Sequence, residues 1–298
     1  MAVTVAPEVR DALADGNPVV ALESTLFTHG LPRPENLAAA TGAERLLRDR
    51  GVVPATVAVI GGTPVVGLAP SSIERLASDD RAAKLSLRDL PIAAARGLSG
   101  GTTVAATAFL AHQAGIRVFA TGGVGGVHHG ASTSFDESAD LLTLASTPLV
   151  VVSAGVKSVL DVPATLERLE TLSIPVVGYV TRRFPGFYVA DSGLGLDHSA
   201  DTPEEVAAIF RAQRALDVPS ALLVANPVPA DEQLDPEAHQ RVLAEAWEAA
   251  AQQGISGHAT TPFLLDHIRR ATGGRSLEAN VAAYRNNVAV AAEIAKAL

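Results

Sequence analysis

A lysine that follows an apolar segment is the residue of this sequence best placed for nucleophilic chemistry. Residues 149–152 are Leu-Val-Val-Val, a pattern typical of a buried strand, and the motif Ser153-Ala-Gly-Val-Lys157 comes next. Lysine is rare, since only Lys84, Lys157 and Lys296 stand among 23 lysine and arginine residues. An arginine stays charged, whereas a buried lysine can lose its proton and become an amine nucleophile. Lys157 is therefore the candidate nucleophile.

The same pattern also fits a structural lysine. The apolar strand before Lys157 favours the neutral amine that a nucleophile needs, because burial disfavours the charged form. An ammonium that reaches water from the strand end, or that pairs with Asp161 one turn on, fits the spacing equally well. From the residues alone, both interpretations stay open.

Carboxylates stand at the ends of other predicted elements. Glu23 closes the strand predicted over residues 18–24, where it is either a catalytic group or a carboxylate that caps or pairs at the strand end. Asp136, Glu137 and Asp140 carry the oxygen ligands that Mg²⁺ and Mn²⁺ prefer. They also suit a helix N-terminus, where acids oppose the helix dipole. On one helix face, Asp136 and Asp140 would repel each other unless a cation or a donor lay between them.

A glycine-rich turn, residues 122–130, follows the strand predicted over residues 117–122. It lacks the Gly-Lys-Ser/Thr ending of one phosphate-binding motif and the later acidic residue of the dinucleotide motif. Ligand binding and simple close packing both remain open for it. His128 and His129 in this turn are adjacent, so their side chains point apart and at most one faces any given site.

Alternating strands and helices must position these groups. Buried-strand patterns at residues 117–122, 149–152 and 220–225 are separated by helical patterns. The alternation predicts an α/β fold, a single three-layer α/β/α domain over residues 1–298 with a mostly parallel or mixed central sheet. Ligands of such sheets bind beyond the carboxyl ends of the strands. The glycine turn, the carboxylates and Lys157 should meet there.

The composition excludes several classes of protein. The chain has 298 residues, a net charge of −9, 48% hydrophobic residues and no cysteine. The lack of cysteine excludes disulfides, thiolate metal sites and cysteine nucleophiles. The negative charge argues against a nucleic-acid partner. No segment reaches the roughly 18–20 apolar residues of a membrane span and no signal-peptide pattern is present, so we expect a cytoplasmic protein with no membrane contact.

A set of short motifs, in one order along nearly the whole chain, closely resembles one family. The motifs are Ala21-Leu-Glu-Ser-Thr25 with His29-Gly30, Lys84-x-Ser-x-Arg88-Asp-Leu-Pro91, Thr102-Thr-Val104, Thr121-Gly-Gly-Val-Gly-Gly-Val-His128, Phe135-Asp-x-Ser-Ala-Asp-Leu141, Ser153-Ala-Gly-Val-Lys-Ser158, and Ala279-Asn280 with Asn286-Asn287. Each motif is unremarkable alone, but their shared order and spacing are specific. The sequence resembles the pseudouridine-5′-phosphate glycosidases, also described as the indigoidine synthase A-like family.

The resemblance implies an activity and a set of site residues. The activity is reversible cleavage of the C–C glycosidic bond of pseudouridine 5′-phosphate, which yields uracil and ribose 5-phosphate with a divalent cation, usually Mn²⁺. By matching motifs, Lys157 is the nucleophile, Glu23 the proton donor and Asp136 the metal ligand. Substrate contacts are implied for Lys84, Val104, Thr121, His128, Ser138, Ala139, Asp140 and Asn280.

Elementary chemistry agrees with that activity. A C-glycoside has no leaving-group oxygen or nitrogen to protonate, so the paired-carboxylate route of O-glycosidases does not transfer directly. An amine that attacks C1′ can open the ribose and provide an iminium for breaking the C–C bond. Glu23 would supply a proton. The dianionic phosphate needs positive or N–H-rich surroundings, which Lys84 and the glycine turns could provide.

Two other functions fit the same residues. A Schiff-base aldolase or lyase acting on another sugar phosphate would use the same lysine, and release of uracil from pseudouridine 5′-phosphate separates it from a glycosidase. A non-catalytic sugar-phosphate sensor would bind the ligand without turnover. These alternatives stay open at the level of sequence.

The resemblance also implies an assembly and a pathway neighbour. The family suggests a homotrimer, a state that light scattering can test, and a pseudouridine kinase that would have to be a separate protein. The apolar helix predicted over residues 281–298 offers either a trimer contact or ordinary intrachain packing. His129 stands where the family pattern has arginine, so the affinity would differ if that side chain touches the ligand.

Overall fold

A large sheet runs through most of the chain in the computed structural model, which describes residues 3–255 and 260–298. Its strands, in chain order, are β1 (Thr4–Val5), β2 (Val19–Leu22), β3 (Val53–Ile60), β4 (Thr63–Val66), β5 (Ala83–Leu85), β6 (Gly100–Thr102), β7 (Val118–Ala120), β8 (Val150–Ser153), β9 (Val176–Tyr179), β10 (Ser199–Ala200) and β11 (Leu222–Ala225).

Helices connect most of these strands. In chain order they are α1 (Pro7–Ala14), α2 (Glu35–Asp49), α3 (Pro70–Ser78), α4 (Leu90–Arg96), α5 (Val104–Gln113), α6 (Ala131–Ser134), α7 (Ala139–Leu144), α8 (Val162–Thr171), α9 (Pro203–Ala215), α10 (Pro236–Gln252), α11 (Thr260–Ala271) and α12 (Arg275–Ala297). Within the described residues, none is long and apolar enough to cross a membrane.

Neighbouring strands are mostly parallel. The order across the sheet is β1-β4-β3-β2-β7-β8-β11-β9-β10, while β6 also pairs with β3 and β5 pairs with β6. Among the described strands, the antiparallel pairs are β3 with β4 and β3 with β6. The first is a hairpin closed by Gly61 and Gly62, as the sequence predicts. The predicted α/β fold with a mostly parallel sheet is confirmed.

Helices cover both faces of this sheet. Successive residues of a strand point to opposite faces, and in β2 Val19 and Ala21 join one apolar cluster whereas Val20 and Leu22 join another. The first cluster takes in α1, α5, α7, α8, α10 and α11, and the second takes in α2 and α9. The long helix α12 contributes to both. The predicted three-layer arrangement is therefore confirmed.

Beyond β2, Leu26–Gly30 form a π-helical turn. One local prediction is wrong. Asp136 precedes the next helix instead of opening it, because α7 starts after its N-cap residue Ser138. Asp136 and Asp140 therefore do not share a helix face, and the expected repulsion between them does not arise.

The apolar face of the C-terminal helix is covered within the chain. Val288, Ala291 and Ile294 of α12 are fully buried, and the helix packs against β2, β7, β8, α2 and α9. Intrachain packing, one of the two interpretations of residues 281–298, is confirmed for this face. The homotrimer stays a prediction.

Two strands share one edge of β3 and end facing each other. β2 pairs in parallel with β3 as far as Thr56. Just beyond, β6 pairs with β3 in the opposite direction, with Gly101 opposite Ala58. The carboxyl ends of β2 and β6 therefore meet beside Val57. β5 lies next to β6, with Lys84 in register with Gly101, so Lys84 is brought to the same place.

Buried hydroxyl groups fix this meeting point. Ser24 Oγ donates to the Val57 carbonyl at 2.6 Å and accepts from Thr102 N at 2.8 Å. Thr102 Oγ1 also donates to the Val57 carbonyl, at 2.7 Å. Gly101 packs so closely that an added Cβ would lie 2.3 Å from Thr28 Oγ1. The chain segments at both strand ends thus have little freedom to move apart.

One side chain of α12 holds two more strand ends. Asn287 is fully buried, and its Nδ2 donates to the carbonyls of Thr121 at 2.8 Å and Gly122 at 3.2 Å. Its Oδ1 accepts from Asn226 Nδ2 at 2.9 Å. The ends of β7 and β11 are therefore attached to the same helix.

Replacing that amide should destabilise the protein. Asn287→Leu leaves the Thr121 carbonyl and the Asn226 side-chain amide without this hydrogen-bond partner, so we expect the free energy of unfolding to fall by about 2–4 kcal/mol in urea denaturation. The neighbouring Asn286 is half-buried and makes one bond, to Pro227 O at 3.1 Å, so Asn286→Leu is the control and should cost about 1 kcal/mol or less. An equal loss in both variants would contradict this role of Asn287.

Candidate functional site

Three adjacent strands lead to predicted site residues. β2, β7 and β8 are neighbours in parallel register, so Glu23 and Thr121 leave the sheet side by side. Beyond β8 the chain runs beside the glycine turn, where Lys157 N donates to the Val124 carbonyl at 3.2 Å. The predicted gathering of these residues at the carboxyl edge of the sheet is confirmed.

The Glu23 carboxyl group is buried and oriented by two hydroxyls. Glu23 is only 5% exposed. Thr25 Oγ1 donates to its Oε2, and Thr121 Oγ1 donates to its Oε1. Thr25 Oγ1 also lies 3.2 Å from the Thr102 carbonyl oxygen. In the described part of the chain Glu23 makes no ion pair, so it is available for chemistry in a fixed orientation.

Lys84 and Lys157 lie within electrostatic reach of each other. Burial lowers the pKa of Lys84, and the positive charge of Lys157 lowers it further, although the Lys84 side chain keeps an exposed surface. The carboxylates of Glu23 and Asp140 partly oppose this shift. Among the described residues, neither ammonium has an ion-pair or hydrogen-bond partner. Two cations without protein partners are a suitable environment for an anionic ligand.

His29 lies beside this positive region. Its Nδ1 lies 2.8 Å from Thr28 Oγ1. Burial lowers the pKa of His29, the charge of Lys84 lowers it further, and a hydrogen bond with the Ala82 backbone partly opposes both. The imidazole is therefore neutral at neutral pH. An anion bound to Lys84 would reduce the repulsion that the His29 proton meets.

The first turn of α5 has one backbone donor left open. The buried Asp140 carboxylate accepts from Ala105 N at 2.9 Å and from Gly125 N at 2.8 Å, and the N-cap hydroxyl accepts from a later N–H of the turn. The Val104 N–H has no acceptor among the described residues. Asp140, predicted to contact substrate, thus links the start of α5 to the glycine turn through these two hydrogen bonds. The open donor of Val104 suits an anion at a helix N-terminus.

The glycine turn is closely packed against its neighbours. An added Cβ on Gly123 would lie 2.7 Å from the Phe187 ring, and one on Gly126 would lie 2.4 Å from Thr165 Oγ1. Backbone N–H groups that already have protein acceptors belong to Val124, Gly125, Val127 and His128. The expectation that this turn presents N–H groups to a phosphate is wrong for these four, and the close-packing interpretation is confirmed.

Asp136 and His128 lie together at the outer side of this turn. His128 N donates to the Asp136 carbonyl at 3.0 Å, and His128 Nδ1 lies 4.0 Å from Asp136 Oδ2. Across residues 3–255 and 260–298, no group of three or more histidine, aspartate or glutamate side chains is placed to hold a metal ion. A divalent cation here would keep most of its water, as Mg²⁺ does at sites with one or two carboxylates. The pair fits a hydrated cation.

The two adjacent histidines point apart, as predicted. The His129 ring packs edge-on against Trp247 at 4.8 Å, and its Nδ1 lies 3.9 Å from Asp161 Oδ2. Asp161 also caps α8, since its Oδ1 accepts from Ala164 N at 3.0 Å. The alternative ion pair between Lys157 and Asp161 is not present among the described contacts. Asp161 is engaged by His129 and α8 instead.

The remaining predicted contacts border the glycine turn. Ser138 N donates to the Gly126 carbonyl at 2.9 Å, and Ala139 begins α7. Asn280 Oδ1 is buried without a partner in the described part of the chain, and an added Cβ on Gly122 would lie 3.4 Å from it. A buried acceptor without a donor is costly unless water or a ligand supplies one. Asn280 therefore suits a ligand N–H.

The sequence analysis missed three polar residues of this region. Thr25, His29 and Asn287 all lie within the quoted motifs, yet no role was assigned to them. A hydroxyl two residues after a strand-end carboxylate is a local signal that could have identified Thr25. The bonds of Asn287 span more than 60 residues, so no local pattern could have predicted them.

The comparisons with known proteins define the family. Residues 8–297 match the family described as indigoidine synthase A like protein. The chain therefore belongs to this family, and the resemblance inferred from the motifs is confirmed.

Similar proteins span the chain almost completely. A pseudouridine-5′-phosphate glycosidase of Saccharopolyspora erythraea is 72% identical over 294 residues, which cover 99% of this chain and 97% of that protein. A pseudouridine-5′-phosphate glycosidase of Frankia alni is 59% identical over 295 residues, covering 99% of this chain and 82% of that protein.

Solved structures share the fold. The prealnumycin C-glycosynthase AlnA, in complex with ribulose 5-phosphate, has a TM-score of 0.93 and 38% identity, covering 99% of this chain and 96% of that one. An indigoidine synthase A-like protein of Thermotoga maritima has a TM-score of 0.89 and 37% identity, covering 98% and 95% of the two chains.

Removing the Lys84 charge should stabilise the ligand-free protein. Because folding lowers the pKa of this ammonium, the charged lysine opposes folding, and Lys84→Met should raise Tm at pH 7. The gain should shrink above the lowered pKa, where the folded protein has already lost the proton. Lys296, paired with Glu293 at 2.6 Å on the surface, supplies the control Lys296→Met with little expected change. Identical Tm values for both variants at pH 7 would rule out this effect.

Proposed function

We propose that this protein cleaves the C–C glycosidic bond of pseudouridine 5′-phosphate reversibly, giving uracil and ribose 5-phosphate. The observation that carries the proposal is the gathering of Glu23, Lys84 and Lys157 at one edge of the sheet. The relative that is 72% identical is named for this substrate. An amine, an oriented carboxyl group and a second cation are the three groups that the reaction requires.

Lys157 is the proposed nucleophile. Its neutral amine attacks C1′ of the ribose, the C1′–O4′ bond breaks, and O4′ takes a proton as the ring opens. The nitrogen lone pair then forms a C1′=N bond while the C1′–C5 bond breaks. The electron pair of that bond goes to uracil, which takes a proton at C5. Water hydrolyses the iminium, which returns the amine and releases ribose 5-phosphate.

Glu23 is the proposed proton donor. Its carboxyl group is buried and both of its oxygens are held by threonine hydroxyls. Fixed orientation is what a general acid needs, because proton transfer requires hydrogen-bond distance to the accepting atom. Thr121 touches the same carboxyl group, and Asn280 offers its buried oxygen to a ligand N–H. These two residues would orient the uracil ring.

Lys84 is the proposed phosphate-binding residue. Its ammonium has no counter-ion among the described residues, and the open Val104 N–H is the only donor of the α5 first turn, in the described chain, without an acceptor. A dianionic phosphate would supply acceptors for both. Ser138 and Ala139, at the start of α7, would complete that part of the pocket.

Lys157→Ala should abolish both turnover and covalent trapping. Borohydride added with ribose 5-phosphate should reduce the iminium and leave a stable adduct on the Lys157 peptide, detected by mass spectrometry. Lys84→Ala should retain some trapping but bind substrate weakly, which makes it the matched control. An adduct on Lys84 or Lys296, or normal cleavage by Lys157→Ala, would refute the covalent route.

A divalent cation at Asp136 is part of the proposal. Asp136 and His128 would hold it, and when bound it would supply positive charge that helps to orient and polarise the substrate. Mn²⁺ is the expected ion. The cytoplasmic location, the homotrimer and a separate pseudouridine kinase also stay predictions.

Asp136→Ala should lose Mn²⁺ affinity while remaining folded, as measured by calorimetry and circular dichroism. Chelation should abolish activity in the unaltered enzyme, and Mn²⁺ should restore it. The control is Glu137→Ala, since the Glu137 carboxylate is already engaged by Arg168 at 2.9 Å. Full activity of metal-stripped enzyme, or equal Mn²⁺ loss in Glu137→Ala, would count against the assignment.

The same assays separate the other functions. The likeness to AlnA, a C-glycosynthase bound to ribulose 5-phosphate, favours chemistry on pentose phosphates but not one particular second substrate. A Schiff-base lyase would trap a sugar phosphate without releasing uracil. A sensor would bind the sugar phosphate with no uracil-dependent exchange. Uracil release by the unaltered protein, followed by chromatography, decides among the three.

A further inference from the structure

We infer that the Thr25 hydroxyl keeps Glu23 hydrogen-bonded in both of its protonation states, and so positions the proton that the reaction uses. The inference rests on the proposed function and concerns a residue that acts through Glu23. It follows from the hydrogen-bond donors and acceptors that Glu23, the two threonine hydroxyls beside it and the Thr102 carbonyl provide.

The two threonine hydroxyls around Glu23 are not equivalent. Thr25 Oγ1 has two acceptors in reach, Glu23 Oε2 and the Thr102 carbonyl at 3.2 Å. Thr121 Oγ1 has Glu23 Oε1 as its acceptor, and no other acceptor is present among the described residues. The Thr121 hydroxyl therefore donates to Glu23 in both protonation states of the carboxyl group, whereas the Thr25 hydroxyl can donate to either of two acceptors.

The two acceptors of the Thr25 hydroxyl match the two protonation states of the Glu23 carboxyl group. A hydroxyl has one proton to donate and lone pairs to accept with. When Glu23 is ionised, the Thr25 hydroxyl donates to Oε2. When Oε2 carries a proton, it donates to Thr25 Oγ1, and the Thr25 proton turns to the Thr102 carbonyl. Both states keep the Glu23 carboxyl group and the Thr25 hydroxyl hydrogen-bonded, and the loss of such a bond in a buried site would be costly.

The burial of the set makes this arrangement necessary. Glu23 is 5% exposed and Thr25 is 8% exposed, so bulk water has little access to supply the missing bonds. For the transfer, the Oε2–H turns from Thr25 Oγ1 to the substrate and the proton passes to the substrate atom. The Thr25 hydroxyl then turns from Thr102 to the carboxylate that forms. When Glu23 takes a proton back, the hydroxyl returns. Over one cycle Glu23 loses one proton to the substrate and takes one proton back, so its charge returns to the starting value.

Other titratable groups near Glu23 do not replace this role. The Glu23 carboxylate acts on Lys84, which also lies near Lys157 and Asp140. It also acts on Tyr284, where burial first and the charges of Glu23 and Glu44 next raise the pKa of the phenol. Among the described residues, neither Lys84 nor Tyr284 hydrogen-bonds to the Glu23 carboxyl group. Thr25 and Thr121 alone do so there.

The test compares three variants through kcat, KM and the pH profile. Thr25→Val removes the hydroxyl at nearly constant volume, so kcat should fall by about tenfold to hundredfold, with KM within twofold. The alkaline limb of its pH profile, which a proton donor sets, should move little, because each protonation state of the Glu23 carboxyl group loses one hydrogen bond. Thr25→Ser restores a hydroxyl and should restore the rate and the profile. Thr121→Val should also lower kcat, but should raise KM because Thr121 borders the uracil position.

A second measurement keeps the inference separate from the proposed function. Glutamate labelled with ¹³C at the carboxyl carbon allows the Glu23 titration to be followed by NMR without any substrate, with Glu23→Gln to assign the signal. The titration midpoint should move upward in Thr121→Val, which loses a donor only, and should move less in Thr25→Val, where each protonation state loses one bond. A midpoint that moves upward as far in Thr25→Val as in Thr121→Val would overturn the inference, because Thr25 would then serve the ionised state alone. Failure of the unaltered protein to release uracil would overturn the proposed function instead, while the titration would still be decided.

Discussion

The site depends on the meeting of two strand ends along one edge of β3. β2 and β6 approach each other from opposite directions and stop on either side of Val57. A β-strand presents hydrogen-bonding groups along its whole length, so the gap between the two ends must be closed by side chains. Ser24 and Thr102 close it. Because β5 pairs with β6, this meeting also brings Lys84 from a separate part of the sequence to the carboxyl ends of β2 and β7.

The charges of the site suit an anionic ligand. Two lysines lie within reach of one another while the nearby carboxylates are occupied: Glu23 is bonded to hydroxyls, and Asp140 to backbone N–H groups. Two like charges without counter-ions lower the free energy of unfolding. Such arrangements cluster at sites that bind ligands. The same arrangement explains why a bound anion would be favoured at Lys84 without needing a glycine-rich cradle.

Much of the fold could be predicted, because it depends on local patterns. Alternating apolar runs defined the strands, and the strand-end rule placed Glu23, Thr121 and Lys157 at one edge. The hydrogen bonds between these groups could not be predicted, since Thr121 reaches Glu23 across 98 positions of sequence. The acidic pattern misplaces Asp136 for a local reason: α7 starts only after its N-cap residue Ser138. Asp140 is buried whereas Asp136 is partly exposed, a difference that composition does not reveal.

The amide of Asn287 has a consequence for how the protein forms in the cell. A chain is made from its amino end at about 5–20 residues per second, and N-terminal units fold first. β2, β7 and β8 can pair before α12 has been synthesised, and Ala154 N then donates to the Gly122 carbonyl. The Thr121 carbonyl receives its donor only when α12 docks. Until then the end of β7 has an unpaired backbone carbonyl. A nascent chain would therefore bring Glu23 and Thr121 side by side before α12 fixes the end of β7, so their final arrangement waits until α12 has been synthesised and has docked.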